Sequence, residues 1–302
     1  MTFSRIVPLA LLTALVACED PYLTNPDLRL LLKIDGHYLF SPVLSPDGKG
    51  LYYLDDSSYD RHDDPSTIMR GDIWVHNLED STGRMLLQGT FCALALSADG
   101  QALAALSKPE RMDFVNDSTL YVVLDTAAVS ADSVYFRHPG SRWGPFGVHI
   151  SGTGDRLFFD GFSWHNYAID STLVYRVDLP GDTVTYVAGR PWLTRGTALL
   201  RADSIYAESA TGYRASVNPR DNRWVVFPKV DNVMHYWTLR DRVSGKLGPL
   251  GPNTHPYTVG YIDWPTWTAD GRDLVFSAMG RGEASMEIWM LEDALKDTTQ
   301  AQ

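Results

Sequence analysis

Pro265-Thr266-Trp267-Thr268-Ala269-Asp270-Gly271-Arg272-Asp273-Leu274-Val275-Phe276 decides the fold of this 302-residue chain. An aromatic stretch runs into a tight polar turn, and a second apolar stretch leaves it. The Asp side chain can bond its own backbone, and Gly takes the positive φ that closes the turn. Val and Phe after the turn suit a pleated strand. The dodecapeptide therefore reads as strand, hairpin turn, strand.

The same pattern occurs five times. Its turns are Ser45-Pro46-Asp47-Gly48, Ser97-Ala98-Asp99-Gly100, Ser151-Gly152-Thr153-Gly154, Asn218-Pro219-Arg220-Asp221 and Thr268-Ala269-Asp270-Gly271, starting 52, 54, 67 and 50 residues apart. A strand-like run follows each turn, as in Leu51-Tyr52-Tyr53-Leu54 and Trp224-Val225-Val226-Phe227. A third run with a central aromatic comes next, as in Ile73-Trp74-Val75 and Ile288-Trp289-Met290. Fourth strands are expected at Ser133–Phe136 and Thr183–Val187. Four short strands per unit of about 40–50 residues is the pattern of β-propeller blades. A lone unit cannot bury both faces, so the units must stack on one another.

The expected fold is thus all-β, a β-propeller of four-stranded blades over residues 28–293. Five blades are counted. The long spacing before Asn218 contains Trp192–Tyr213, which is short for four strands and reads as an insertion, with a sixth blade as the alternative. The last unit has no fourth strand of its own. Leu28–Lys33 can supply it and close the ring, which would remove exposed sheet edges. Residues 294–302 are polar and read as a frayed tail.

Residues 265–276 resemble the repeat of TolB-type propellers, whose pattern is Pro-x-Trp-Ser-Pro-Asp-Gly-Lys-x-Ile-x-Phe. Ser41–Leu54 with Asp72-Ile73-Trp74-Val75 matches equally well. The resemblance is strong in the first and last units, moderate in the second, and weak in the third and fourth. It implies a fold rather than an activity. It also suggests a protein partner in the cell envelope. TolB carries a separate α/β domain before its propeller, and no counterpart is read here, which weighs against a TolB-like role in the Tol system.

The N-terminus reads as an address. Arg5 gives a positive start, and Ile6–Ala17 is an apolar stretch of 12 residues, against about 20 for a membrane span. It ends Leu15-Val16-Ala17-Cys18, then polar Glu19-Asp20. That tetrapeptide resembles the lipobox of bacterial lipoproteins, which implies cleavage after residue 17 and a lipid on Cys18. The alternative is an ordinary signal peptide with a chance cysteine. Residues 18–27 then read as a tether, and the expected location is the cell envelope, lipid-anchored, facing the periplasm or the outer surface.

The formal net charge is −11, and Lys and Arg are scattered. Nucleic acid needs a basic stripe, which is absent, and anionic lipid headgroups are disfavoured on the same ground. Cys18 and Cys92 are the two cysteines. Cys92 lies in the apolar run Phe91–Leu96 and reads as a small core residue.

No catalytic motif is visible. The eight histidines show no zinc spacing, and there is no Gly-x-Ser-x-Gly elbow. The acidic run Asp55–Pro65 is read as a loop. Asp55, Asp56, Asp60, Asp63 and Asp64 offer oxygen ligands for Ca²⁺, but the run matches no EF-hand spacing, and a solvated charged loop is the plainer reading. No cofactor is expected. Ligands of propellers usually meet the channel mouth, which the first strand of each unit lines. Trp143, His149, Arg214, Asp263 and Trp264 are the candidates there, against the plainer reading that such aromatics pack between blades.

The expected function is a non-catalytic binding or scaffold module for a protein or glycan of the envelope. The alternatives are a hydrolase or lyase acting on glycans or peptides, and a purely structural surface module. A propeller glycosidase needs two carboxylates at the channel, and Asp263 is the one acid evident in a first strand.

Overall fold

The computed structural model describes residues 25–57, 70–107, 118–126, 131–137, 148–151, 154–165, 168–179, 184–191, 197–201, 204–208, 215–231, 234–250, 260–280 and 283–296. Every regular element among them is a strand. In chain order these are β1 (Leu28–Leu32), β2 (Tyr38–Leu44), β3 (Gly50–Asp56), β4 (Gly71–Asn77), β5 (Thr82–Leu96), β6 (Ala102–Ser107), β7 (Ser118–Asp125) and β8 (Ala131–Arg137). Then come β9 (Val148–Ile150), β10 (Arg156–His165), β11 (Ala168–Asp178), β12 (Val184–Pro191), β13 (Thr197–Arg201) and β14 (Ser204–Glu208). The last are β15 (Ser216–Val217), β16 (Trp224–Asp231), β17 (Met234–Asp241), β18 (Leu247–Pro249), β19 (Gly260–Trp267), β20 (Leu274–Gly280) and β21 (Glu287–Leu291).

The strands form antiparallel meanders that follow the five sequence units. β9 to β12 make one four-stranded sheet and β15 to β18 another. In the last sheet β1 pairs with β21, so the N-terminal strand supplies the fourth place beside β19 and β20. The first two units share one seven-stranded sheet because β5 is 15 residues long. Its first half pairs with β4 and its second half with β6. β13 and β14 form a separate two-stranded sheet. The first strands of the sheets are neighbours in space. β2 lies beside β5 and β19, β5 beside β9, β9 beside β13, β13 beside β15, and β15 beside β19.

The turn chemistry repeats as the sequence predicts. Gly48, Gly100, Gly154 and Gly271 have φ of 75, 74, 73 and 68°. Ser45, Ser97 and Thr268 donate their hydroxyls to Asp47, Asp99 and Asp270, and each hydroxyl oxygen accepts the backbone N–H five residues on. Each Asp in turn accepts the N–H two residues on. Ser151 uses Asp155 instead. Asn218 donates to the Gly271 carbonyl at 2.6 Å, tying the fourth turn to the fifth. Neighbouring turns also touch elsewhere: a Cβ on Gly100 would sit 2.8 Å from the Pro46 ring, and one on Gly154 3.0 Å from Ala102.

The core lies between the sheets. Leu103–Leu106 of β6 are buried, as is every residue of β20. Second strands have sheets on both faces, so they carry continuous apolar runs instead of alternation. The outer strands β1 and β18 are half exposed. One cluster joins the first, second and last units through Phe40, Leu54, Leu94, Leu103, Trp264 and Met279. A second, including Cys92, joins the second unit to β9–β11. A third packs Trp237 against Phe276, and a fourth sets Leu39 and Tyr53 on Val275 and Ile288. Fully burying side chains such as Phe40 or Phe276 stabilises the fold by about 2–3 kcal/mol each.

The polar tail starts later than expected. Ala294 is buried and Leu295 packs on the third cluster, while Lys296 pairs with Asp27. Ala294 also donates its N–H to the Arg272 carbonyl, which holds this turn against the last unit.

Candidate functional site

The first strands β2 and β19 start at the same end of the sheets and run in the same sense, with the Ser/Thr-x-Asp-Gly turns at the other end. Both strands carry a bulge, between Phe40 and Val43 and between Asp263 and Thr266. At these bulges Ser41 has φ 52° and Trp264 φ 53°, each directly before a proline. A bulky residue in the left-handed region is strained, so something must hold it there. For Trp264 it is the neighbouring carboxylate: Trp264 donates its N–H to Asp263 Oδ1 at 2.8 Å. Tyr261 donates its hydroxyl to Asp263 Oδ2 at 2.6 Å. Ser41 Oγ accepts the N–H of Leu94 at 2.9 Å, which joins the first unit to the second.

Asp263 and Trp264 are thus adjacent and buried, with the Trp264 ring 5.2 Å from Phe40 and 6.3 Å from Tyr261. Trp264 belongs to the core cluster. His149 lies on β9 opposite Phe158, between the buried Val148 and Ile150. Trp143 and Arg214 lie outside the described residues, as does Cys18. The structure therefore brings together two of the five candidates. Tyr261, a first-strand aromatic outside those five, joins them, and strand period puts residues 261 and 263 on one face.

A second polar group lies at the same end. His37 Nδ1 is 2.8 Å from Asp55 Oδ1. Asp56 accepts the N–H of Arg70, and Asp72 that of Gly89. The sequence placed Asp55 and Asp56 in a loop, and this is corrected: both end β3 and are buried. Pairing with Tyr38, Leu39 and Asp72 carries the strand through them despite their charge. Consecutive strand residues point to opposite faces, so the two carboxylates do not converge on one ion. Asp60, Asp63 and Asp64 lie outside the described residues, among which no group of metal-binding side chains occurs. Burial pushes the Asp55 carboxyl above the usual range. His37 opposes that shift, and Asp56 and Asp72 add to it.

The chain matches no protein-family model and no curated protein. Solved structures similar to it include TolB from Acinetobacter baumannii, at 14% identity over 85% of this chain and 54% of that one, with a TM-score of 0.43. The β-propeller domain of the trilobed protease from Pyrococcus furiosus is 11% identical over 84% of this chain and 81% of that one, with a TM-score of 0.48. Oligogalacturonate lyase from Vibrio parahaemolyticus is 14% identical over 86% and 65%, with a TM-score of 0.40. This chain spans about half the length of the TolB chain. Among the described residues no helix is long and apolar enough to cross a membrane.

Proposed function

We propose that this chain is a lipid-anchored β-propeller outside the cytoplasm that binds a protein or glycan of the cell envelope without chemical turnover. The observation that carries the binding reading is the state of Asp263. Both its oxygens are engaged, one by Tyr261 and one by the strained Trp264 backbone, and the side chain is buried. It braces a bulge, whereas a glycosidase acid must reach a substrate and work with a second carboxylate. The ring itself is part of the proposal. Five four-stranded units and the β13–β14 hairpin would stand around one axis, with β13 between β9 and β15 as a reduced sixth position. The neighbour relations of the first strands and the pairing of β1 with β21 support that arrangement.

The anchor reading rests on the lipobox-like Leu15-Val16-Ala17-Cys18. Metabolic labelling with a palmitate analogue tests it: label should enter the parent chain and be lost in Cys18→Ser. For binding, photo-cross-linking from Tyr261 and His37 in intact envelopes should yield a discrete adduct. Turnover on a glycan and peptide panel that disappears in Asp263→Asn, while the variant melts like the parent, would replace binding by hydrolysis or lysis.

A further inference from the structure

The segment Arg242-Val243-Ser244-Gly245-Lys246-Leu247, the turn between β17 and β18 with the first residue of β18, is unlike the other turns. It presents Val243 at 81% and Leu247 at 53% exposure, two of the four large apolar side chains exposed among the described residues. It carries two cations and no anion. The acid just before it, Asp241, is held by Arg223 at 2.9 Å and by the Ser244 hydroxyl, well below the usual carboxylate range. On the adjoining turn Arg220 and Asp221 are both exposed and offset each other, so the positive charge is that of Arg242 and Lys246. Single exposed apolar residues need no explanation. An apolar pair flanked by cations on a projecting turn is the arrangement that meets an anionic bilayer, with apolar atoms entering the headgroup boundary and cations at the phosphates.

The position of this turn in the fold supplies the second argument. Arg242 donates its N–H to the Arg223 carbonyl, and Asn218 bonds the Gly271 carbonyl. Ala294 bonds the Arg272 carbonyl, and Glu292 that of Asp27. This chain of contacts puts Asp27, where the polypeptide enters β1, at the same end of the sheets as Val243. Asp27 is nine residue steps from Cys18, a reach of at most about 30 Å. A lipid on Cys18 would therefore hold this end toward the bilayer and turn His37, Asp55 and Tyr261 away from it.

We infer that the Arg242–Leu247 turn is a second membrane contact, seated on anionic lipid, which fixes the orientation of the sheets. The orientation rests on the proposed anchor; the lipid contact of the turn does not. The overall negative charge does not forbid it, because charges beyond about 8–10 Å are screened at physiological salt.

The test uses the full chain reconstituted in vesicles of phosphatidylethanolamine and phosphatidylglycerol. An environment-sensitive dye is placed at Val243→Cys or Leu247→Cys, or at Glu283→Cys on the opposite end as control. The parent chain serves as the labelling blank: it subtracts any dye on Cys18, and Cys92 is buried. Brominated lipid should quench the dye at 243 and 247 and not at 283. Arg242→Glu with Lys246→Glu should abolish that quenching, as should replacing phosphatidylglycerol by phosphatidylcholine. Equal quenching at 243 and 283 overturns the inference even when Cys18 is acylated. A protein adduct from 243 in intact envelopes without lipid quenching also overturns it. Quenching at 243 in a chain whose Cys18 takes no label upholds the lipid contact and removes the anchor instead.

Discussion

Lys33 donates to Glu287 at 2.7 Å, joining the end of the first strand to the start of the last. Glu287 is 1% exposed, and its other oxygen accepts Trp289 Nε1 at 2.9 Å. Removing the lysine would take the cation away from a buried carboxylate. Breaking a buried pair from one side costs about 3–5 kcal/mol, and partial exposure of Lys33 lowers that. Lys33→Met should therefore destabilise the protein by about 2 kcal/mol, read from the midpoint of urea unfolding. An unchanged midpoint would mean that Glu287 is satisfied without it.

Deleting Leu28–Leu32 removes the whole of β1 and exposes the edge of β21. The truncated protein should melt well below the parent and aggregate on heating, because an unpaired apolar edge recruits other chains. Equal melting temperatures would refute any closing role for this strand.

The glycines of the repeated turn should not be equally replaceable. Both Gly48 and Gly271 have positive φ, but a Cβ on Gly48 meets nothing within 4 Å. A Cβ on Gly271 would lie 2.4 Å from Asn218 Oδ1 and 2.8 Å from Arg220 Cβ. Gly48→Ala should cost about 1 kcal/mol, the left-handed conformation alone. Gly271→Ala should cost about 3 kcal/mol, since the fourth turn must also move. Calorimetry of both variants decides this.

The turn hydroxyls hold Asp47, Asp99 and Asp270 below the usual carboxylate range. A depressed folded value adds stability that is present above the unfolded value, about pH 4, and is lost as pH falls through the folded one. Asp270→Asn should therefore lie below the parent in melting temperature at pH 7 and approach it by pH 2. Asp55 has the opposite sign: its raised value favours the fold at lower pH, a contribution lost as pH rises through the folded value. A constant gap between parent and Asp270→Asn from pH 7 to pH 2 would show that the ionised carboxylate contributes nothing.

Most of the architecture was legible because one turn carries its own chemistry. Ser45, Ser97 and Thr268 each stand two residues before an Asp and three before a Gly, and the hydrogen bonds follow from that spacing. The third and fourth turns were weaker signals because other groups do the same work, Asp155 beyond the glycine and the Asn218 amide. The continuity of β5 was not legible. Gly89 looks like a break, yet its N–H bonds Asp72, and a Cβ there would strike the Phe91 ring at 2.5 Å. Asp55 and Asp56 misled for a related reason. Charge in a sequence signals solvent, while their burial depends on His37 and on the Arg70 N–H, which only the fold brings near. Candidate-site residues are harder to read from sequence, since rings such as Trp264 serve packing as readily as recognition.

The pairing of Leu28 with Leu291 has a consequence for biogenesis. Of the described strands, β1 leaves the ribosome first and its partner β21 last. During synthesis β1 must wait, unpaired, while every other sheet can already form. A chain cut short before Glu287 has nothing to receive it, and the edges left open would be available to proteases. Completion of the final sheet thus acts as a proofreading step, one that an interrupted polypeptide fails.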